Sequence, residues 1–436
     1  MAYPAIPTPS LRAWDFAPGE SVLGFEDHVL RTLVIAAILL EIIVFREPAP
    51  VDLVIVFTLC LGMFLGKLSF KAISTLGLAS LTGFALANLI SMHNPFDMER
   101  AVWYLAVTLY LVISWVFFVG VLSRYGLSFM GTLINAYCFA GLISAALGVG
   151  GYFRLLPDPD TLLLAGRAKG LFKDCNVYGP FFVPMALFSL VKILDTRNEM
   201  RAKLWASFLF LSAAIGMLLC FSRGCWLNFG VALVVFLAVQ LVPANFNKEN
   251  LLNFRVAGIT VAAGVLTILV LINTAAVQNM LAMRITDSGL QGYDRVRFAT
   301  QRESLEAAEE QPLGIGPGQA EITFGYATHS MYMRVLSENG VIALISLLVF
   351  IGATAARALQ VARQTESPWL RNISLMVFAS IIGHLANSFV IDTVHWRHIW
   401  FIYALPWVPF RFEEYSRRLM ARTRRITNRK PLLMAP

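Results

Sequence analysis

The sequence predicts an all-α fold: a polytopic transmembrane helix bundle of about twelve spans, with both termini cytoplasmic. Three observations carry this. Of 436 residues, 57% are hydrophobic and only 14% are charged, against roughly 45–50% and about 25% in a soluble globular domain. The apolar residues fall in long runs almost free of charge, as in helices whose sides meet hydrocarbon. Finally, Lys and Arg are unevenly divided between alternate connections, which sets an orientation. This composition excludes a water-soluble enzyme, and 30 Gly, 19 Pro and 12% aromatic residues exclude a collagen-like or disordered chain.

Taken in order, residues 1–29 are a cytoplasmic lead-in. Met1 to Asp27 lacks the basic start and cleavage site of a secretory signal, and Pro4, Pro7 and Pro9 oppose a helix. Runs near the length that crosses a ~30 Å hydrocarbon core follow at about 30–46, 52–66, 72–91, 102–122, 128–149, 177–194, 204–222, 225–242, 256–274, 331–356, 372–391 and 398–411. The first carries Glu41, and the last is short and holds Pro406 and Pro409. Residues 30–411 thus form one transmembrane domain. Its long outer loops are 150–176 and 275–330, the second expected to carry short helices. Residues 412–436 form a basic cytoplasmic tail.

With the N-terminus inside, 22 of the 35 basic residues face the cytoplasm, and of the 13 outside only Arg46, Arg100 and Arg397 sit in short loops. The rule that short basic loops stay inside is therefore obeyed. The net charge of +8 needs no nucleic acid as partner, because the arginines from Arg411 to Arg429, with Lys430, can lie against anionic membrane lipids at ~1 kcal/mol each. The five cysteines contain no CxxC pair, so neither a zinc site nor a disulfide framework is indicated; Cys60 and Cys138 read as packing residues.

Polar chemistry collects on the outer face. Ten cations gather there: Arg154, Arg167, Lys169 and Lys173 in the first long loop, Arg223 in a tight turn, and Arg284, Arg295, Arg297, Arg302 and Arg334 around the second. Singly each reads as a solvated loop residue. Together, from chain-distant segments, they read as a receiver for a polyanionic headgroup such as a diphosphate, which the planar fork of Arg grips in a bidentate manner. Arg223, in Cys220-Phe-Ser-Arg-Gly-Cys225, lies at or just inside the outer interface; it is either a functional charge or one that snorkels to the surface.

In the stretch from Arg167 to Asn176, Gly170 permits a turn and Asp174 or Asn176 can cap the next helix. Capping leaves Arg167 unexplained. Pro312-Leu-Gly-Ile-Gly-Pro-Gly-Gln319 is no dinucleotide fingerprint, since no strand precedes it; its glycines allow a tight turn or a close approach to a ligand. His329 opens the tenth span at the outer face, placed either to accept a proton from a hydroxyl or to hydrogen-bond across helices. His384 and Asn387 share a helix face and are expected to form an interhelical hydrogen-bonded pair. His395, His398 and Asp392 sit at an outer turn, as spectators or cavity lining. No metal-spaced cluster occurs, so no metal or other cofactor is predicted.

These residues resemble the O-antigen ligase and O-antigen polymerase superfamily of bacterial inner-membrane glycan transferases. That family's late-loop signature is His, a small polar residue, nine positions, then Gly; His329-Ser330 followed by Gly340 fits it, with Ala343 where Gly, Thr or Tyr is usual. The Gly-rich run, the Arg167–Asn176 stretch and the Ser222-Arg223-Gly224 turn are also similar, so the likeness spans about residues 160–345.

The resemblance implies transfer of a glycan from undecaprenyl diphosphate to an acceptor hydroxyl, on the lipid A core or on another lipid-linked glycan, at the outer face of the membrane. It implies His329 as base, Arg223 as one diphosphate ligand, and Arg297 or Arg295 as a second. Arg167, Lys169, Asn176, Tyr332 and Glu338 complete the expected substrate-binding set. A polysaccharide transporter or lipid-linked-sugar flippase is the alternative, for which repeat symmetry and broken midplane helices would be expected.

Overall fold

The computed structural model describes residues 23–45, 47–195, 197–240, 251–274, 277–279 and 289–408, with backbone alone for 251–254 and 289–294. The lead-in up to residue 22, Arg46, Lys248, Arg284 and the basic tail lie outside the described residues. Helices form where the apolar runs predict them: α1 (Phe25–Leu40), α2 (Pro50–Phe64), α3 (Thr75–Ile90), α4 (Met98–Tyr152), α5 (Cys175–Leu194), α6 (Met200–Leu219), α7 (Arg223–Gln240) and α8 (Leu251–Ile272). After these come α9 (Gly289–Glu310), α10 (Ala320–Thr323), α11 (Met331–Gln364), α12 (Pro368–Asn387) and α13 (Arg397–Ala404).

Local chemistry sets many of the starts. Asp97 accepts from the Arg100 amide at 3.0 Å to cap α4, and Ser367 accepts from Leu370 ahead of Pro368 at the start of α12. The 55-residue α4 contains two of the expected spans, 102–122 and 128–149, joined by a single non-helical residue, Gly126, at φ 80°. Glycine adopts that left-handed backbone without steric cost.

Among the described residues eight helices are long and apolar enough to cross a membrane, two of them the extended α4 and α11. The remaining expected spans correspond to α1, to α2, and to a last segment in which α13 has 8 residues. Large apolar side chains stand exposed around the bundle, among them Leu53 and Phe57 on α2, Leu86 and Leu89 on α3, Leu266 and Val270 on α8, and Ile342 and Ile345 on α11. A belt this extensive belongs against lipid. The chain is an all-α, multi-pass membrane protein.

The core is built around α5, in which every residue from Tyr178 to Val191 is buried. A helix apolar on all sides must be surrounded, and α4, α6, α7, α8 and α12 do so. Polar ties then sort the connections to two ends. At one end Asp27 pairs with Lys67 at 2.9 Å and accepts from Tyr125 at 3.2 Å. At the other, Val44 donates to Leu171, Asp97 to the Gln319 side chain, and Met331 to Ser388.

The two long loops lie at this second end. The first holds a small hairpin, β1 (Leu163–Leu164) with β2 (Arg167–Ala168), which turns through Ala165 and Gly166, both at positive φ, as a two-residue hairpin loop requires. The second departs from the expectation of short helices, because α9 runs for 22 residues.

Candidate functional site

The Gly-rich run is closed onto α11. The Ile315 and Gly316 amides donate to the carbonyls of Ser337 and Glu338 at 2.9 Å, and the Gly318 and Ala320 amides donate to the Glu338 carboxylate at 2.8 and 3.0 Å. Gly340, at φ 81°, breaks α11 at this point, and a Cβ there would collide with the Pro312 carbonyl. The glycines therefore serve close backbone approach to a helix rather than to a ligand. Glu338 is 3% exposed with both oxygens engaged, so the structure places this expected substrate ligand in the supporting wall.

Beside this buckle three chain-distant arginines converge. Arg167 from β2, Arg223 from the first turn of α7 and Arg297 from α9 line one cavity of about 330 Å³, together with Asn176, Ser222, Gly224 and the aliphatic Val390 and Ile391. Among the described residues no acidic side chain lines it. Arg167 is oriented by two acceptors, the Cys220 carbonyl at 2.8 Å and the Asn176 side chain at 3.2 Å, and Ser222 donates to that same Asn176 oxygen at 2.8 Å. Asp174, rather than Asn176, caps α5, accepting from the Asn176 amide at 2.8 Å. The turn ahead of Arg223 holds Phe221 at φ 45°, a costly backbone for a bulky residue and one that clusters at functional sites. The N-terminus of the 18-residue α7 adds a positive helix end at the same place. The arrangement suits an oxyanion of high charge.

His329 lines neither this cavity nor the second one described below, but charged residues that line each of them act on it. It too is in the left-handed region, at φ 47°, with its ring 5.2 Å from that of Tyr326. Burial, and next the positive charge of Arg297, lower its pKa below the ordinary 6.5, against the weaker opposing pull of Asp174, Glu321 and Asp392. The imidazole is thus neutral at pH 7 and able to accept a proton. Ser330, which follows, caps α11.

The remaining expected residues are not brought to the arginine cavity. Arg295 is exposed, pointing away from the lining that Arg297 enters two residues later. The Lys169 ammonium approaches the Phe172 carbonyl at 3.5 Å and sits over the Phe45 ring. Tyr332 donates to the Leu385 carbonyl at 2.8 Å and packs on Phe389, joining α11 to α12. Arg154 and Arg302 pair with Asp160 and Glu306. The expected His384–Asn387 hydrogen bond is not made: His384 Nδ1 and both amide atoms of Asn387 have no partner, and the imidazole packs edge-on against Trp396 and Tyr403.

The second cavity, of about 660 Å³, is lined by Asp392, His395 and His398, which the sequence offered as spectators or cavity lining, and by residues the sequence did not connect to them. Arg334 crosses its wall, donating to Glu338 at 3.2 Å and to Asp392 at 2.6 Å. Burial would raise the Asp392 carboxyl, but Arg334 and His395 outweigh it and hold it below the usual carboxylate range. His395 accepts from or donates to Thr108 at 3.1 Å, and burial lowers its pKa to about 4, so it is neutral. Arg397 is held in a bidentate pair with Asp52 of α2 at 2.6 and 2.8 Å. A further signal was Glu41, a charge inside an otherwise apolar run that also lines this cavity.

Fold and site together define a multi-pass membrane protein whose ionisable chemistry is collected at one end of a helix bundle, around a cationic cavity and a neutral histidine. Residues 206–348, about a third of the chain, match the family model described as O-antigen ligase, and over that segment the chain is similar to that family. The matched segment contains Arg223, Arg297, His329 and Gly340; Arg167, Asn176 and Asp392 fall outside it. No curated protein matches the chain.

Proposed function

We propose that this chain is a metal-independent, inverting glycosyltransferase that moves a glycan from undecaprenyl diphosphate to an acceptor hydroxyl at the periplasmic face of the bacterial inner membrane. In this reading residues 30–411 form the transferase domain, crossing the membrane about twelve times with both termini in the cytoplasm. The observation that carries it is the convergence of Arg167, Arg223 and Arg297 on one cavity that no acidic side chain lines among the described residues, with Arg297 also acting on a neutral His329.

The reaction follows from that chemistry. His329 takes the proton of the acceptor hydroxyl as its oxygen attacks the anomeric carbon on the face opposite the diphosphate. The bond from that carbon to the phosphate oxygen breaks, and the electron pair leaves with the diphosphate. The arginines stabilise the developing charge, which is the largest single term in many such reactions. The diphosphate ester already stores the driving force, so no nucleotide or other cofactor is needed.

The test is His329→Ala in cells, with leaflet-resolved detection of the lipid-linked glycan. Loss of a general base lowers turnover by ~10²–10⁴-fold, so the glycan is expected to accumulate on the outer leaflet. Accumulation confined to the inner leaflet would mean a defect in transport and would overturn the assignment.

A further inference from the structure

One amide ties two of the three cationic segments together at the wall of the arginine cavity. The Asn176 oxygen accepts from Nη2 of Arg167 at 3.2 Å and from the Ser222 hydroxyl at 2.8 Å, while its Nδ2 donates to the Asp174 carboxylate at 3.3 Å. Only one orientation of the amide fits these partners. A guanidinium can only donate and an ionised carboxylate can only accept, so turning the amide over would set NH2 against guanidinium and oxygen against carboxylate. Asp174 thereby dictates which end of Asn176 meets Arg167, although Asp174 itself lines the larger cavity and not the arginine one.

The polarity runs on from there. The single Ser222 proton goes to Asn176, so the Ser222 oxygen is left to accept, and it takes the Cys225 amide at 3.4 Å in the first turn of α7, the turn that carries Arg223. Arg167 closes the circuit by donating Nε to the Cys220 carbonyl at 2.8 Å, just ahead of that turn. Its two bonds fix the plane of a guanidinium that lines the cavity. A long side chain held in this way meets an anion with little rotamer freedom left to lose.

We propose that Asp174 and Asn176 are positioning residues for anion binding: Asp174 orients the Asn176 amide, and the amide holds Arg167 in place for the diphosphate. The contribution of Asp174 then has the opposite sign to that of its charge. A carboxylate near a cationic cavity repels an anion, so loss of the charge alone would tighten binding. In Asp174→Asn the remaining oxygen is kept by the backbone amide of Asn176, the shorter of the two bonds at 2.8 Å. The new NH2 then falls where the Asn176 side chain donates, and the amide is driven to turn away from Arg167. Asn caps a helix as well as Asp does, so the start of α5 is retained. The inference rests on the reading of the arginine cavity as the diphosphate site of a transferase.

The experiment is calorimetric titration of inorganic diphosphate, without divalent metal, into the full chain in phosphatidylcholine nanodiscs. It compares Asp174→Asn with the native residue in two backgrounds, Arg167 and Arg167→Ala. With Arg167 present, Asp174→Asn is expected to weaken diphosphate binding about tenfold, as for one hydrogen bond to a charged group. With Arg167→Ala, where Arg223 and Arg297 still line the cavity, the same change is expected to leave binding unchanged or to tighten it, because only the charge effect remains. Asn176→Ala is carried through both backgrounds as well, with the larger loss expected where Arg167 is present; it decides the matter should Asp174→Asn fail to fold, which thermal unfolding checks. Tighter binding by Asp174→Asn with Arg167 present would overturn the inference. So would equal losses in the two backgrounds, the result of a merely structural role, or no saturable binding of diphosphate by the native chain. Transfer from lipid-linked glycan in the same preparations keeps the two readings apart: transfer with equal losses sinks the positioning role alone, and the expected binding pattern without transfer sinks the transferase reading alone.

Discussion

Arg295 and Arg297 stand two residues apart on α9, and the structure separates them: Arg297 lines the cationic cavity and Arg295 is exposed. If the cavity holds a diphosphate, replacing each with alanine must give sharply different results. A guanidinium at about 4 Å from a phosphate charge, at an effective dielectric of about 20, contributes about 4 kcal/mol. That corresponds to roughly three decades in rate, in line with the ~10²–10³-fold loss typical when one preorganised donor is removed. Arg297→Ala is therefore expected to lower kcat/KM by ~10²–10³-fold, and Arg297→Lys to restore it only partly, because an ammonium cannot reproduce a bidentate grip. Arg295→Ala should change the rate by less than about threefold, as for a screened surface charge. The assay is transfer from purified lipid-linked glycan in proteoliposomes, with thermal unfolding of each variant as a control for folding. Equal losses in the two alanine variants would refute the assignment of Arg297 to the diphosphate.

Further outcomes follow from the same geometry. Because the pKa of His329 is lowered, the base stays unprotonated below pH 6.5; kcat/KM should fall only as pH drops through that lowered value, and Arg297→Gln should move the inflection upward toward 6.5. A wild-type inflection at or above 6.5 would contradict the described environment. Gly340→Ala forces a β-carbon into the Pro312 carbonyl and a left-handed backbone onto an L-residue, at about 1–2 kcal/mol for the backbone alone, so the apparent Tm should fall and transfer should be lost with it. Excess chelator should leave transfer intact, and activity that returns only on adding magnesium or manganese would contradict the metal-free mechanism.

The helices were legible in the sequence because crossing hydrocarbon imposes a length and a composition that each segment must meet alone; the apolar runs from 72 to 91 and from 177 to 194 became α3 and α5 for that reason. Candidate residues with an odd local setting were legible too: Arg223 between two apolar runs, Arg167 before a helix cap, and His329 at a span's edge. Convergence was not. Whether Arg167, Arg223 and Arg297 share a cavity depends on how the hairpin, α7 and α9 pack, and no local pattern encodes that. Residues two apart on a helix point to different sides, so the choice between Arg295 and Arg297 awaited knowing which side of α9 meets the bundle. The Gly-rich run suggested a ligand cradle, and only the packed α11 revealed the Glu338 carboxylate that occupies its amides. The second cavity is mixed: Asp392, His395 and His398 were readable as lining, but the pairs Arg334–Asp392 and Arg397–Asp52 join residues 58 and 345 positions apart, and pairing at that range is decided by tertiary structure alone.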